Sequence, residues 1–329
     1  MKISKDVKIG ATSSIFGGHP DRYVTGGYKD AKPLEYRLEM FTKVQDLKGV
    51  DLGGGYDVNI NNAAEVKVLF KKFGLTPAAI TADIYGDRMF FLGSVCSPDG
   101  EVRKVAWERV KDAIDSAVVI DCKLVNLWFG QDGYDYPFQV DYLDSFKRLV
   151  EFLKSAADYN PEIDIAIEYK ALEPRKRLFM STAAVALTII KEADRPNLGI
   201  ILDNGHAWNA GENISEMVAF LKLFGDRLKY IHINDNYKLW DDDMAVGSIH
   251  LVETLEFLFW LERTGYDGFY TLDIDASRED ALSFTRENVA MLKKLRGVLE
   301  RLNESELESI FKRNDSVESL RIIRETLIK

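Results

Sequence analysis

YIHINDNYKLWDDDMAV, residues 230–246, is the stretch on which the fold reading turns. A short β-branched run leads through His232 into a polar loop. Asp235 lies in that loop, and Asp241, Asp242 and Asp243 follow as a triplet. Imidazole and carboxylate together suit Mn, Co, Zn or Mg rather than a thiolate-loving metal. A charge run this short, taken alone, reads as a solvated loop. It gains weight because similar strand-end groups recur before and after it.

Working outward, apolar runs at residues 7–15, 50–52, 78–85, 124–128, 164–167, 198–202, 230–233 and 269–272 read as strands. Helical patterns fill the gaps at 34–46, 63–73, 142–157, 181–193, 214–224 and 251–264, with another from Ser97–Pro98–Asp99 to residue 120. Ser or Asp as cap with Pro near the start is a sound helix beginning. A strand thus recurs about every 30–45 residues, the length of a crossover unit. Eight such alternations predict an α/β fold, a single (β/α)8 TIM barrel, over residues 1–298. The charged, helical pattern of residues 299–329 predicts a C-terminal helical arm packed outside the barrel or against another subunit. An open doubly wound sheet is disfavoured because no nucleotide loop follows the first strand. GGHP at 17–20 reads as a Gly-rich loop, and GGGY at 53–56 lacks GxGxxG or P-loop spacing and reads as a tight turn.

Composition narrows the function. The net charge of −10 repels phosphate backbones, so nucleic acid is not an expected partner. Cys96 and Cys122 form neither a CxxC pair nor a secreted disulfide framework. The segment MKISKDVKIG has no apolar leader core, and no apolar run reaches membrane-span length. The expectation is a cytoplasmic protein that engages no membrane.

Barrel enzymes place their chemistry at the C-terminal ends of strands. Read so, strands five to eight end at Glu168, Asp203, His232 and Asp273. One strand-end acid is commonly a helix cap, but four ligand types in register are hard to explain by capping, and they predict a divalent metal site. His206 follows Asp203 in DNGH, and Asp241 and Asp243 sit in the loop after His232. If that loop folds back, His206, Asp241 and Asp243 form a second cation group, with an acid of the first set bridging. The alternative is a solvated triplet and a hydrogen-bonded pocket histidine. One or two ions are expected.

These motifs together resemble the xylose isomerase-like barrel superfamily along nearly the whole chain, closest to xylose and L-rhamnose isomerases. Glu168–Tyr169–Lys170 is similar to the Glu-x-Lys that ends the family's fifth strand. Asp203 with His206 resembles its sixth-strand acid and histidine, His232 its L-rhamnose-type histidine, and Asp241–Asp242–Asp243 its Asp-x-Asp. Gly265–Tyr266–Asp267–Gly268 before Asp273 resembles the approach to its last ligand, and LWFGQDGYDYP the segment whose Trp walls the sugar pocket. The resemblance implies a sugar isomerase or epimerase on a monosaccharide, with Mn(II) first and Co, Mg or Zn as other choices. It implies Lys170, Glu168 and His206 as catalytic groups, with Trp128 and Phe91 excluding water. A homo-oligomer is the expected state.

One departure bears on mechanism. The aldose isomerases carry a ring-opening histidine at the second strand end, where this chain has Gly53–Gly54–Gly55. His19 is the candidate substitute. The same superfamily therefore implies an alternative, the larger subunit of a C-glycoside deglycosidase, a lyase on a closed 3-oxo-glycoside that works with a small β-sheet partner subunit. Endonuclease IV-like repair enzymes, a third branch, disagree with the acidic charge. A non-catalytic sugar-binding or assembly subunit on the same scaffold is a further class, since fold does not fix function. Buried unpaired acids argue against it.

Overall fold

Leu198–Asp203 is buried at every position, which a strand achieves only when both its faces are covered. The computed structural model, describing residues 7–328, shows how. Strands β1 (Ile9–Thr12), β2 (Leu47–Gly53), β3 (Thr76–Thr81), β4 (Leu124–Trp128), β5 (Asp164–Glu168), β6 (Leu198–Asp203), β7 (Leu228–Ile233) and β8 (Tyr270–Leu272) form one closed parallel barrel. Its order, β1-β8-β7-β6-β5-β4-β3-β2, pairs each strand with its sequence neighbours and closes by pairing β1 with β8, as a (β/α)8 TIM barrel requires. Readings that fall on residues 1–6 and 329 lie outside the described residues.

Helices α1 (Leu34–Thr42), α2 (Ala63–Phe73), α3 (Gly100–Ile120), α4 (Tyr142–Tyr159), α5 (Ala183–Ala193), the short α6 (Asn204–Asn209), α7 (Ile214–Leu223), α8 (Leu251–Thr264) and α9 (Ala281–Leu299) follow the strands. Their apolar sides and the outer strand faces form one continuous core that includes Phe41, Ile114, Leu153, Ile190 and Phe257. Asp99 and Asp141 cap α3 and α4 by accepting the amides of Glu101 and of Leu143 and Asp144. Among the described residues no helix is long and apolar enough to cross a membrane.

The structure adjusts several boundaries. β3 stops at Thr81, where its pairing with Asn126 of β4 ends, rather than running to residue 85. Asp83 then leaves the sheet to bind Arg109 at 2.6 Å. α1 ends at Thr42, where the Lys43 amide turns back to the Met40 and Phe41 carbonyls, and Asp46, at φ +68°, bars a helix running through it. β2 is longer than its apolar centre and ends in a turn whose last glycine, Gly55, has φ +75°. The triple glycine is thus turn chemistry. α9 is an addition to the sequence reading. The tail forms α10 (Glu304–Arg313) and α11 (Ser316–Leu327). Phe311 of α10 stacks on Trp260 of α8 at 6.3 Å, so this extension packs outside the barrel.

Register aligns the strand ends. Trp128 pairs with Glu168, Asp203 with His232, and His232 with Thr271 two residues short of Asp273. The four expected ligand positions therefore share one mouth.

Candidate metal centre

One ligand atom from each of Glu168, Asp203, His232 and Asp273 lies within 4.8 Å of all the others. His232 is the hub. Its Nδ1 is 3.1 Å from Glu168 Oε1, 3.3 Å from Asp273 Oδ2 and 4.0 Å from Asp203 Oδ2. On its far side Nε2 donates to Asp51 Oδ2 at 3.0 Å. A carboxylate only accepts, so this contact places a proton on Nε2 and turns Nδ1 toward the acids.

Asp51 was not anticipated. It sits in β2 between Val50 and Leu52, and the only signal was an acid inside an otherwise apolar run. Burial raises its carboxyl against the pull of His232. Asp51→Asn keeps the shape but removes the anion that orients the ring. We expect divalent-ion affinity to fall about 10–100-fold, the usual effect of losing such a partner. Titration with Mn(II) checks it, and unchanged affinity would show that the ring needs no such support.

Glu168 is fixed from the opposite side, where Asn126 Nδ2 donates to Oε2 at 2.6 Å. Burial pushes this acid up, but His232, His206 and Asn126 outweigh it and hold it down at about 2. Asp203 accepts the His206 amide at 2.9 Å, capping α6, and both its oxygens take Asn234 Nδ2, at 3.2 and 3.0 Å. Gly205 is needed there, because a Cβ would come within 2.5 Å of Asn234 Oδ1.

A second group consists of Asp203, His206 and Asp241, again within 4.8 Å of one another. His206 Nε2 is 3.0 Å from Asp241 Oδ2, which also accepts from Lys170 Nζ at 2.7 Å. Lys170 reaches Glu173 at 3.3 Å, and its ammonium lies 5.5 Å from the Trp128 ring centre. Burial disfavours its charge, but Asp241 and Glu173 overcome this and raise its affinity for the proton. Asp203 is the acid common to both groups. Asp243, expected in the second group, stands outside it, with Oδ1 held by Asn234 Nδ2 at 3.2 Å. Asp242 is exposed.

The residues suit a hard or borderline divalent cation in composition, three carboxylates and one imidazole in the first group. They also leave orphans that a cation would satisfy. His206 Nδ1 and Asp241 Oδ1 are buried without a hydrogen-bond partner among the described residues.

Partial burial pushes Asp273 up to about 7, with Glu168 and Asp203 adding to this against His232. Burial disfavours His206 charging, but Asp203 and Asp241 raise it to about 9. Both groups hold protons in the folded chain that the unfolded chain would have released. Their stabilisation is present at low pH and is lost as pH rises through about 7 and 9. Glu168, held at about 2, acts in the opposite sense, but only below its ordinary 4.5. Chelator-treated protein should therefore melt progressively lower from about pH 5 to about pH 9, and Mn(II) should raise the midpoint most at the alkaline end. Scanning calorimetry tests this, and a rising midpoint would contradict it.

A cavity of about 600 Å³ opens above the centre, lined by Glu168, Lys170, His206, His232, Asp241 and Asp273 on one side. The remaining wall includes Thr12, Ser14, Asp51, Tyr56, Asp57, Tyr85 and Trp128. Tyr85 packs edge-on against Trp128 at 4.4 Å. Gly130 lets the indole lie against the backbone, since a Cβ would meet the ring at 2.7 Å. Two expected pocket residues are elsewhere. Phe91 is 66% exposed outside the cavity, because the chain leaves the barrel after Thr81 and turns through residues 88–90 first. Tyr85 occupies the wall instead. His19, at φ +53°, is tied to Asp275 at 2.5 Å and does not line the cavity.

Comparison with known proteins gives a consistent setting. The xylose isomerase-like TIM barrel family matches residues 38–295. An uncharacterised protein of Methanocaldococcus jannaschii is 30% identical over 184 residues, 54% of this chain and 59% of that protein. The match thus spans under two thirds of that relative. A D-tagatose 3-epimerase-like protein has 21% identity and a TM-score of 0.68, covering 89% of this chain and all of that one. An L-ribulose 3-epimerase has 15% identity and a TM-score of 0.69, covering 92% and 98%. At these identities the two structures are likenesses of fold.

Proposed function

We propose, on the premise that this chain belongs to the xylose isomerase-like TIM barrel family, that it is a divalent-cation-dependent isomerase or epimerase of a monosaccharide. The observation that carries this is the convergence of Glu168, Asp203, His232 and Asp273 beneath a cavity of about 600 Å³. A cation held by these four would polarise a carbonyl oxygen and the hydroxyl beside it. The epimerase names of the structural likenesses support the same reaction class.

The chain's own residues then divide the proton work. Epimerisation needs a base to remove the proton next to the carbonyl and an acid to return one to the opposite face. Glu168 and Asp273 both lie within 3.3 Å of His232 Nδ1 and are the pair we assign. Glu168 is locked by Asn126, whereas Asp273 is 30% exposed and open to the cavity. The Lys170 ammonium offsets charge developing on the carbonyl oxygen. Trp128 and Tyr85 wall this region from water.

The β2 end supplies no histidine to open a sugar ring, and His19 is engaged by Asp275. This favours a ketose over a closed aldose as substrate. The test is hydrogen exchange by NMR in deuterated water with Mn(II), using ketoses, aldoses and a 3-oxo-glycoside. Deuterium uptake with inversion beside a ketose carbonyl, unchanged by His19→Ala, is the expected result. Uptake only beside the 3-oxo group would favour the partner-dependent C-glycoside lyase. Absence of exchange with all three would remove the proposal.

A further inference from the structure

We propose that Asp235 is a positioning residue that, together with His250, sets the place of Asp241 and so the cation affinity of the Asp203–His206–Asp241 group. The inference rests on reading that group as a cation site. Residues 234–250, which join β7 to α8, contain no helix or strand. Loops of this length hold one shape only if something outside regular structure ties them. Asp241 lies near the middle, and its own contacts are with His206, Lys170 and, through its amide, Glu173 at 3.3 Å. The His206 and Lys170 contacts both fall on Asp241 Oδ2, within the cation group itself. They join one ligand of the group to its neighbours and do not tie the loop as a whole.

Asp235 supplies the tie with the most bonds, beside single ones from the Asp275 amide to the Asp243 carbonyl at 2.8 Å and from the Val246 amide to Asn288 Oδ1 at 2.7 Å. Asp235 is fully buried, and each oxygen accepts two bonds. Oδ1 takes the Asn236 amide at 2.9 Å and His250 Nδ1 at 2.8 Å. Oδ2 takes the amides of Ile249 at 2.8 Å and His250 at 2.9 Å. Its carbonyl accepts the Met244 amide at 2.8 Å. One residue thus joins the start, the later half and the end of the loop. The clasp reaches the cation group by a second route, because the His250 ring packs on Trp208 at 4.5 Å. Trp208 and His206 belong to the same short helix, α6. The clasp therefore holds both Asp241 and the helix that presents His206, while touching neither ligand atom.

Asp235→Asn keeps the volume but can accept at one oxygen only, and it turns an N–H toward donors at the other. The experiment titrates full-length chain with Mn(II) by calorimetry and electron paramagnetic resonance, with hydrogen exchange of residues 236–250 in parallel. Asp241→Ala and His250→Gln are the companion variants. Wild type is expected to bind two ions. Asp235→Asn should keep the first within about threefold and weaken the second about 10–100-fold, the range for support residues of a metal site. His250→Gln, which leaves the backbone bonds to Asp235, should weaken the second ion by less. Unchanged affinity for both ions despite faster loop exchange would overturn the clasp. Equal loss of both ions with faster exchange across the barrel would also overturn it, by showing a purely structural role. A wild type that binds one ion, indifferent to Asp241→Ala, would instead remove the second site itself and the clasp with it.

Discussion

Asp203→Ala is expected to weaken Mn(II) binding more than about 100-fold, beyond the loss typical of a supporting residue, and to do so at both cation groups. Asp203 is the one acid that belongs to both. It is 1% exposed, so water cannot replace its oxygens without entering a packed strand end. The change also removes the cap on the His206 amide and leaves Asn234 Nδ2 with fewer acceptors. Asp241→Ala, by contrast, should leave the first group within about threefold, since Asp241 contributes only to the second. Calorimetric titration of both variants decides the point. Equal losses would mean that the two groups are a single site.

Glu168→Gln should reduce turnover about 10³-fold, the scale of a lost acid–base group, while the protein still folds and takes up Mn(II) measurably. Glu168 is buried yet kept ionised, because His232, His206 and Asn126 together outweigh the burial penalty. The amide preserves the bond from Asn126 but offers no basic oxygen to take a proton. Exchange of the substrate's carbon-bound hydrogen with deuterium should vanish along with turnover. A glutamine variant that still exchanges would pass the base role to His206 or Asp273.

How much of this was readable beforehand depends on whether local or distant contacts set each feature. The barrel was legible because eight buried strands enforce apolar runs and the crossovers between them enforce helical periods. The ends of β5 to β8 were legible for the same reason, as Glu168, Asp203, His232 and Asp273 each interrupt or close such a run. The choice among chemically identical acids was not. Asp235, Asp241 and Asp243 share one loop, and nothing local says that the first faces His250, the second His206 and the third Asn234. Phe91 and Tyr85 follow the same strand, and only the chain's exit after Thr81 puts Tyr85 against Trp128 and Phe91 in solvent. Asp51 reaches His232 across 181 residues of sequence. The residue order by itself determined the barrel and the residue types at its mouth, because burial and periodicity act within a few residues. The tertiary structure decided which carboxylate meets which imidazole, because barrel closure and loop path bring those atoms together across distances that no local pattern records.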